Sequence, residues 1–456
     1  MNLQYVLLLA VFSAISVPAF SPISDTVRAD DDNAPPGWST QSPRDELRPQ
    51  FWSNSRTSAD RVVMRIEADE RTGLVGAWTR TQTVKGGQYY SFTVERKTTG
   101  MSLTRRSAVP EITWLDEAGR QVLRAEPSQA SFRAGQRPTA EPEFPKVVGE
   151  RDGWTVIEGI YEVPPDATQA RIDLHFRWGE PHSRVEWSNV SLREIEKPKE
   201  RVVRVAAVHL QPTAGKTAQD KCEQFAPLIA HAAQEHVDLV VLPETLTYYG
   251  RGVSYADAAE PVPGPSTNYF GTLAEQHKLH IVAGLIEREG HLIYNVAVLI
   301  GPDGKIIGKY RKVTLPRGEI EGGITPGDDC PVFETRIGKI GMMVCYDGFF
   351  PEVARELSNR GAEIIAWPVW GCNPMLAEAR ACENHVTIIS STYCDRSMNW
   401  MLTAVYGHDG RTLAVADQWG SLAIAELRLD RPLYWSSLGD FQSQIQPHRP
   451  FFKTTP

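Results

Sequence analysis

The chain has 456 residues, enough for about two or three domains, and its 41% hydrophobic and 23% charged residues are ordinary for a soluble globular protein. It carries 48 Lys and Arg against 56 Asp and Glu, a net charge of −8, so it lacks the broad positive field that holds a nucleic-acid backbone. The composition also excludes a collagen, a coiled coil and a chain that is disordered throughout.

Residues 1–19 are typical of a secretory signal peptide. The apolar run at 5–17 is too short to cross a bilayer comfortably, and Val17 and Ala19 place small residues at the −3 and −1 positions of a cleavage site. No Lys or Arg precedes the run, so a buried strand or an uncleaved anchor is the alternative. We therefore expect an exported protein, periplasmic or extracellular.

The next segments are predicted to be a linker and an all-β domain. Residues 20–45 are polar and proline-rich, as linkers are. Within residues 46–195, at least six short runs alternate apolar and polar residues between turn signals, which predicts a β-sandwich. Five tryptophans of this domain fit its core, the more frequent role, or a sugar platform that would make a glycan its ligand: Trp78, Trp114, Trp154, Trp178 and Trp187.

A charged linker at 196–201 precedes a segment of different character, residues 202–430. A helical face is predicted over 217–236. Continuous apolar runs, typical of strands buried on both faces, occur at 202–208, 238–242, 280–285, 338–344 and 363–368. Because helices must cover such strands, we expect a layered α/β domain. The linker implies that residues 200–456, including a proline- and aromatic-rich tail at 431–456, fold and act without the sandwich.

The cysteines are confined to the second half of the chain and include no CxxC pair for zinc. A disulfide framework would be spread over a short chain, so at most one or two disulfides are expected. At least one cysteine is therefore expected to act chemically. The six are Cys222, Cys330, Cys345, Cys372, Cys382 and Cys394.

Three ionisable residues stand at or near the ends of predicted strands: Glu244, Lys312 and Cys345. Each alone has an ordinary explanation, as a solvated strand end, a surface lysine and a small core residue. Together they supply the parts of cysteine nucleophilic catalysis. A thiolate attacks, a carboxylate takes the thiol proton and later activates water, and an ammonium stabilises an oxyanion.

Two further observations refine this site. The backbone N–H of Tyr346, directly after the cysteine, is a second candidate oxyanion donor. A histidine base is not favoured, because none of the eleven histidines has a context that identifies it as a partner of the cysteine. We therefore favour Glu244 as the base.

Four segments, in this order, resemble the carbon–nitrogen hydrolase (nitrilase) superfamily over roughly residues 203–430: LPETLTYYG, GLIEREGHLIYNVAVLIGPDGKIIGKYRKVTLP, GEIEGGITPGDDCPVFET and GKIGMMVCYDGFFPE. The later ARACENHVTIISST, with Arg380, Glu383 and Asn384, resembles the helix that follows the nucleophile in this family. The resemblance leaves the N-terminal sandwich untouched.

The resemblance implies an α/β fold, a four-layer α-β-β-α sandwich, here preceded by the all-β domain. It implies a Glu–Lys–Cys triad, carried onto the three residues already singled out. It also implies a second glutamate near the site, for which Glu319 and Glu321 both qualify. Glu319 is favoured because residues 316–318 give it a fixed turn. Thr314 stands where many members have His, which leaves the subfamily open.

The resemblance also bears on partners. It implies no metal or organic cofactor, a small amide or nitrile substrate, and specificity set around residues 370–372. A homo-oligomer formed through open helical faces is expected, with the tail as an exchanged arm.

The sequence therefore predicts an exported hydrolase that cleaves a non-peptide C–N bond of a small amide or carbamoyl compound through a cysteine thioester. A nitrilase or an acyltransferase with the same triad is the alternative, although membrane-bound acyltransferases of this kind have transmembrane helices that the chain lacks. A non-catalytic carbohydrate-binding protein is the third alternative, and the intact triad positions argue against it.

Overall fold

The computed structural model describes residues 34–54, 61–128, 135–435 and 438–451. The predicted signal peptide and residues 20–33 of the predicted linker lie outside these ranges. Among the described residues, no helix is both long and apolar enough to cross a membrane.

The N-terminal unit is a two-sheet β-sandwich with one short helix, α1 (Thr104–Ser107). Its strands are β1 (Ser39–Gln41), β2 (Gln50–Ser53), β3 (Val63–Glu67), β4 (Val75–Thr83), β5 (Tyr89–Thr99), β6 (Ala108–Leu115), β7 (Lys146–Arg151), β8 (Trp154–Glu162), β9 (Gln169–Arg177) and β10 (Arg184–Ile195). The sheet orders are β1-β4-β9-β6 and β2-β3-β10-β5-β8-β7, with antiparallel neighbours in the pairs that define them.

The sandwich core explains most of its tryptophans. Trp78, Trp114 and Trp187 are fully buried among the inward-facing aliphatic residues of both sheets. Trp154 is half-buried, and the guanidinium of Arg61 lies 4.0 Å from the centre of the Trp154 ring. Trp178 is exposed. Glycan binding by this unit stays a prediction of the sequence.

Strand β1 lies inside the segment that the sequence predicted as a linker. Its three residues pair with residues 77–79 of β4 and add an edge to the smaller sheet. Three residues are too short a run for a period-two pattern to be recognised, so the polar composition dominated the sequence signal. The sandwich therefore begins before residue 46.

The second unit contains two six-stranded sheets. The first is built from β11 (Val202–His209), β12 (Leu239–Val241), β13 (His280–Glu289), β14 (Leu292–Ile300), β15 (Ile306–Arg311) and β22 (Ser421–Arg428). The second is built from β16 (Val332–Thr335), β17 (Gly338–Met342), β18 (Ile364–Pro368), β19 (Thr387–Ser391), β20 (Ala404–Tyr406) and β21 (Thr412–Val415). Their orders are β15-β14-β13-β12-β11-β22 and β16-β17-β18-β19-β20-β21, with parallel pairs at the centre and antiparallel pairs at the edges.

Helices cover the outer faces of both sheets. On the first sheet they are α2 (Ala218–Glu223), α3 (Ala226–Gln234) and α5 (Pro265–His277), and on the second α7 (Pro351–Asn359) and α8 (Pro374–Asn384). Two further short helices, α4 (Tyr255–Ala258) and α6 (Arg317–Glu321), lie in the connecting segments. Alternate residues of β11 show the layering. Val205 and Ala207 pack with the second sheet, whereas Ala206 and Val208 pack with α2, α3 and α5. The expected α-β-β-α sandwich is confirmed.

The helix predicted over 217–236 is interrupted in the structure. Residues 224–225 separate α2 from α3, and Pro227 occupies the first turn of α3. Proline has no N–H to donate to the preceding turn and its ring clashes with it, so it is tolerated at a helix start but not in the interior. The chain therefore forms two short helices where the apolar spacing alone predicts one.

The C-terminal segment folds back onto its own chain. It contains β23 (Tyr434–Trp435), β24 (Gly439–Asp440) and α9 (Phe441–His448). In α9, the backbone oxygen of Gln446 accepts a hydrogen bond from Arg105 of the sandwich at 2.9 Å, and its side chain donates to the backbone oxygen of Asn359 at the end of α7. The tail therefore contacts both units of its own chain, and its exchange between subunits stays a prediction of the sequence.

A buried charge cluster fixes the tail to the sandwich. Arg124 and Glu143 form an ion pair, and both side chains are almost fully buried. Glu143 also accepts a hydrogen bond from the indole N–H of Trp114 at 3.1 Å, and the Arg124 guanidinium lies 4.1 Å from the ring centre of Tyr434. The sandwich thus supplies part of the surface on which the described residues of the tail pack. The expectation that residues 200–456 fold without the sandwich did not include this contact.

Candidate active site

A lysine with no exposed side-chain surface lies between two glutamates. Lys312 Nζ is 3.0 Å from Glu244 Oε1 and 2.6 Å from Glu319 Oε1. Glu244 follows the buried strand β12, and Lys312 follows β15, so both residues leave the first sheet at strand ends. A buried cation is tolerated because it is paired on two sides.

The backbone around Glu244 needs a glycine on the neighbouring strand. A Cβ added to Gly284 of β13 would lie 2.5 Å from the backbone oxygen of Pro243 and 2.6 Å from Cα of Glu244. Any larger residue at this position would therefore push the carboxylate away from Lys312. A glycine in a strand often marks such a close approach.

Of the two glutamates that the sequence left open, the structure places Glu319 beside Lys312. Glu319 lies within α6 and is buried, whereas Glu321 is exposed and pairs with Arg317 at 2.6 Å. The two carboxylates are only two residues apart on one helical turn, so they leave the helix on different faces. Glu319 is the one that can act on the lysine.

Asn295 joins the two buried carboxylates, and the sequence reasoning missed it. Its side-chain N–H₂ donates to Glu244 Oε1 at 2.7 Å and to Glu319 Oε1 at 3.1 Å, and its backbone oxygen accepts from Lys312 N–H at 2.9 Å. The available signal was a single polar residue inside the apolar run of β14. Buried polar side chains need partners, so such a residue marks a network.

Cys345 begins a short 3-10 helix, Cys345–Phe349, directly after a buried run. Its φ of +42° is in the left-handed region, where a residue with a side chain is strained. The indole N–H of Trp367 donates to its backbone oxygen at 3.3 Å, and its Sγ lies 3.7 Å from the backbone oxygen of Gly371. The turn therefore presents the sulfur to the loop that follows β18.

That loop connects the sulfur with the carboxylate. The N–H of Trp370 donates to Glu244 Oε2 at 2.8 Å, while the next residue, Gly371, contacts Cys345. Tyr393 donates its hydroxyl to the backbone oxygen of Glu244 at 2.7 Å. Glu244, Lys312 and Cys345, which are far apart in sequence, thus belong to one contact network.

Asp347 supports the nucleophile turn and was not singled out from the sequence. Its carboxylate accepts hydrogen bonds from Tyr310 at 2.7 Å, Val344 N–H at 2.8 Å and Thr314 N–H at 3.0 Å, and also from the Thr314 hydroxyl. Thr314, the position where many family members have His, therefore fixes the turn that carries Cys345.

The electrostatics of the site favour a resting thiol. Burial and the negative charge of Glu244 raise the pKa of Cys345 above its usual range, although Lys312 opposes this. Burial alone would lower the pKa of Lys312. Glu244 and the other acidic groups beside it raise this pKa by more, so the net shift is upward and the lysine stays charged. Burial and Glu244 together outweigh Lys312, so the cysteine rests as a thiol and needs a base before it can attack.

Glu319 has an unusual proton affinity. Burial, with a contribution from Glu244, raises its pKa to about 7, against the opposing pull of Lys312. Around neutral pH the site therefore holds a charged lysine and, at Glu319, a carboxyl that is partly protonated. Among the described residues, no group of three or more His, Cys, Asp or Glu is arranged to hold a metal ion.

Replacing Glu319 by glutamine is expected to remove a pH dependence of stability. Because folding raises its pKa from 4.5 to about 7, the folded chain binds more protons, and stability falls as the pH rises through this interval. The loss is up to about 3 kcal/mol. Unfolding by denaturant at pH 5 and pH 8 should show a smaller difference for Glu319→Gln than for the wild type. The exposed control Glu321→Gln should behave as the wild type. If Glu319→Gln shows the same difference in unfolding free energy between pH 5 and pH 8 as the wild type, Glu319 is not the group whose pKa folding raises.

Comparison with known proteins identifies the family of this chain. The sequence model of the carbon-nitrogen hydrolase family matches residues 204–432. An omega-amidase of Mus musculus is 28% identical over 239 residues, covering 48% of this chain and 82% of that protein. A nitrilase of Pyrococcus abyssi is 36% identical over 203 residues, covering 42% of this chain and 74% of that protein.

A solved structure is also similar. The carbon-nitrogen hydrolase from Helicobacter pylori aligns with 51% of this chain and 90% of its own, at 25% identity and a TM-score of 0.44. The family match covers the whole segment that carries Glu244, Lys312 and Cys345. The chain belongs to the carbon-nitrogen hydrolase family and is a hydrolase of carbon–nitrogen bonds.

Proposed function

We propose that the chain hydrolyses the carboxamide bond of a small molecule through a thioester on Cys345. The observation that carries the proposal is the buried Lys312, held by Glu244 and Glu319, together with the loop at 370–371 that contacts both Glu244 and Cys345. This arrangement provides a nucleophile, a base and a cation within one network.

In the first half-reaction Cys345 attacks the amide carbon. Glu244 takes the thiol proton as the C–S bond forms, which fits the raised pKa of the resting thiol. Lys312 and the N–H of Tyr346 stabilise the oxyanion. The intermediate collapses as Glu244 passes the proton to the leaving nitrogen, so the C–N bond breaks, ammonia or an amine departs and the thioester remains.

In the second half-reaction water replaces the amine. Glu244 removes a proton from water, the hydroxide adds to the thioester carbon, and the proton returns to the departing sulfur, which releases the acid. Glu319 and Asn295 act through their neighbours, since they contact Lys312 and Glu244 and hold them in place. They are therefore positioning residues.

Ammonia release from a panel of small amides, carbamoyl compounds and nitriles tests this proposal. We expect the purified full chain to release ammonia and the matching acid from at least one amide, with the matched nitrile turned over more slowly. Added hydroxylamine should trap the thioester as a hydroxamate. A preference for the nitrile would favour a nitrilase, and release that requires an added amine acceptor would favour an acyltransferase. No turnover of any compound would contradict the proposal.

Three features stay predictions of the sequence: export through residues 1–19, a glycan ligand for the sandwich, and assembly as a homo-oligomer.

A further inference from the structure

Aromatic side chains surround the nucleophile turn. Tyr346, Phe349 and Phe350 follow Cys345 directly, with ring centres 5.4 Å apart for the first pair and 5.3 Å for Tyr346 and Phe350. Phe349 also faces Trp400, at 6.4 Å. We call these residues, with Trp370, the aromatic mouth.

The mouth reaches the nucleophile through Gly371. A Cβ added to Gly371 would lie 2.3 Å from the indole nitrogen of Trp400, so this indole packs against the backbone of that residue. The backbone oxygen of Gly371 lies 3.7 Å from Cys345 Sγ. Trp400 is therefore separated from the reacting sulfur by a single residue.

The opposite side of the loop is also aromatic. The ring of Trp370 lies 5.2 Å from that of Tyr249 and 5.2 Å from that of Tyr393. Tyr393 is buried and holds the backbone of Glu244, so this cluster fixes Trp370 beside the catalytic carboxylate. Rings held in this way are rigid, and little entropy is lost when a ligand packs on them.

These rings are exposed to a degree that folding does not explain. Trp370 is 43% exposed, and Trp400, Phe349 and Phe350 are each 37% exposed. Large apolar side chains that stay in water around a reactive group are typical of a binding site, because a ligand can bury what the fold leaves open. The mouth therefore offers apolar, planar surface to the part of the substrate nearest the sulfur.

The charge around the mouth is low. Residues 345–350, 370–371 and 398–400 include one charged side chain, Asp347, which is buried and saturated by its hydrogen bonds. Lys312 is held by two glutamates. The cation nearest in sequence to the 398–400 segment is Arg396, which is exposed. The residues of the mouth themselves therefore offer a substrate carboxylate no cation, whereas an aromatic ring meets several other rings.

We propose that the aromatic mouth binds the acyl part of the substrate and selects amides in which an aromatic ring lies close to the carboxamide. This rests on the proposed amide hydrolysis at Cys345. Short aliphatic amides fill little of the mouth, and amides that also carry a carboxylate place a charge against its rings. Both classes should be poorer substrates than phenylacetamide.

The test compares kcat/KM for phenylacetamide, acetamide and succinamate in the full chain and in Trp400→Ala. The ratio of phenylacetamide to acetamide should exceed one in the wild type and fall roughly 10- to 100-fold in the variant, the scale on which a pocket discriminates apolar groups. Trp400→Phe should lie between the two, because it keeps a ring. Trp52→Ala, which removes an exposed tryptophan from the sandwich, should leave the ratio unchanged.

Other outcomes separate this inference from the proposed function. If amides are hydrolysed but the ratio is the same in Trp400→Ala and the wild type, the inference is wrong and the hydrolase proposal stands. The inference is also wrong if succinamate is the best substrate and Arg396→Gln removes that preference. If no amide is hydrolysed, both proposals fail. Phe349→Ala repeats the measurement from the other side of the mouth should Trp400→Ala fold poorly.

Discussion

Replacing Cys345 by alanine is expected to abolish amide hydrolysis and to remove every covalent acyl adduct, while the chain folds as before. The sulfur is the only atom of this residue that can form the thioester, so no other group can complete the first half-reaction. Alanine keeps a Cβ, and the strain of a side-chain residue at φ +42° is therefore the same in both proteins. The change deletes little volume, and thermal unfolding should be close to that of the wild type.

Intact-mass analysis after mixing with a slowly hydrolysed amide measures this directly. The wild type should gain the mass of one acyl group, and Cys345→Ala should gain none. Cys382→Ala is a matched control, because Cys382 is the other cysteine that is half-buried rather than buried. It should retain both the adduct and turnover. An adduct in Cys345→Ala, or full activity in it, would assign the nucleophile to another residue.

The catalytic candidates were predictable because each has a local signature. Glu244 and Cys345 directly follow continuous apolar runs, and such runs mark buried strands, at whose ends α/β folds usually place their functional residues. Glu319 was favoured over Glu321 by the fixed turn before it, and the structure places it beside Lys312. In these cases the sequence around the residue carries the same information as the fold.

Residues defined by distant contacts could not be found in the same way. Asp347 and Thr314 are 33 positions apart, and Asn295 and Glu244 are 51 apart, so no local pattern joins them. Asp347 also looks like an ordinary turn residue after a cysteine. Its three partners become visible when β15, the residues after it and the nucleophile turn are brought together.

The contacts of the tail within its own chain could not be predicted for a related reason. Residues 434–435 and 439–440 form strands of two residues each, far below the length at which a period-two pattern can be recognised. Their partner in the sandwich, Arg124, is more than 300 residues earlier in the chain. Long-range packing therefore decides where the tail lies, and no local pattern in the sequence records it.

Replacing Arg124 by alanine is expected to destabilise the protein by about 3–5 kcal/mol, the cost of breaking a buried ion pair by removing one partner. Glu143 would lose its cation, although the indole N–H of Trp114 remains. The charged form of Asp440 in β24 would also be less stable. Burial raises the pKa of this carboxyl, and Arg124 is one of the groups that lower it. Tyr434 would lose the guanidinium that covers its ring.

Chemical denaturation of the full chain at neutral pH measures the loss. Arg120→Ala is the control, since Arg120 pairs with Asp116 on the surface and its side chain is 78% exposed, so a change of about 0–1 kcal/mol is expected. The double variant Arg124→Ala/Glu143→Gln should recover part of the loss, because it removes the unpaired charge along with its partner. If Arg124→Ala is no more harmful than Arg120→Ala, the cluster does not hold the tail against the sandwich. In that case, the tail is held against the sandwich by its other contacts, such as that of Arg105 with the backbone oxygen of Gln446.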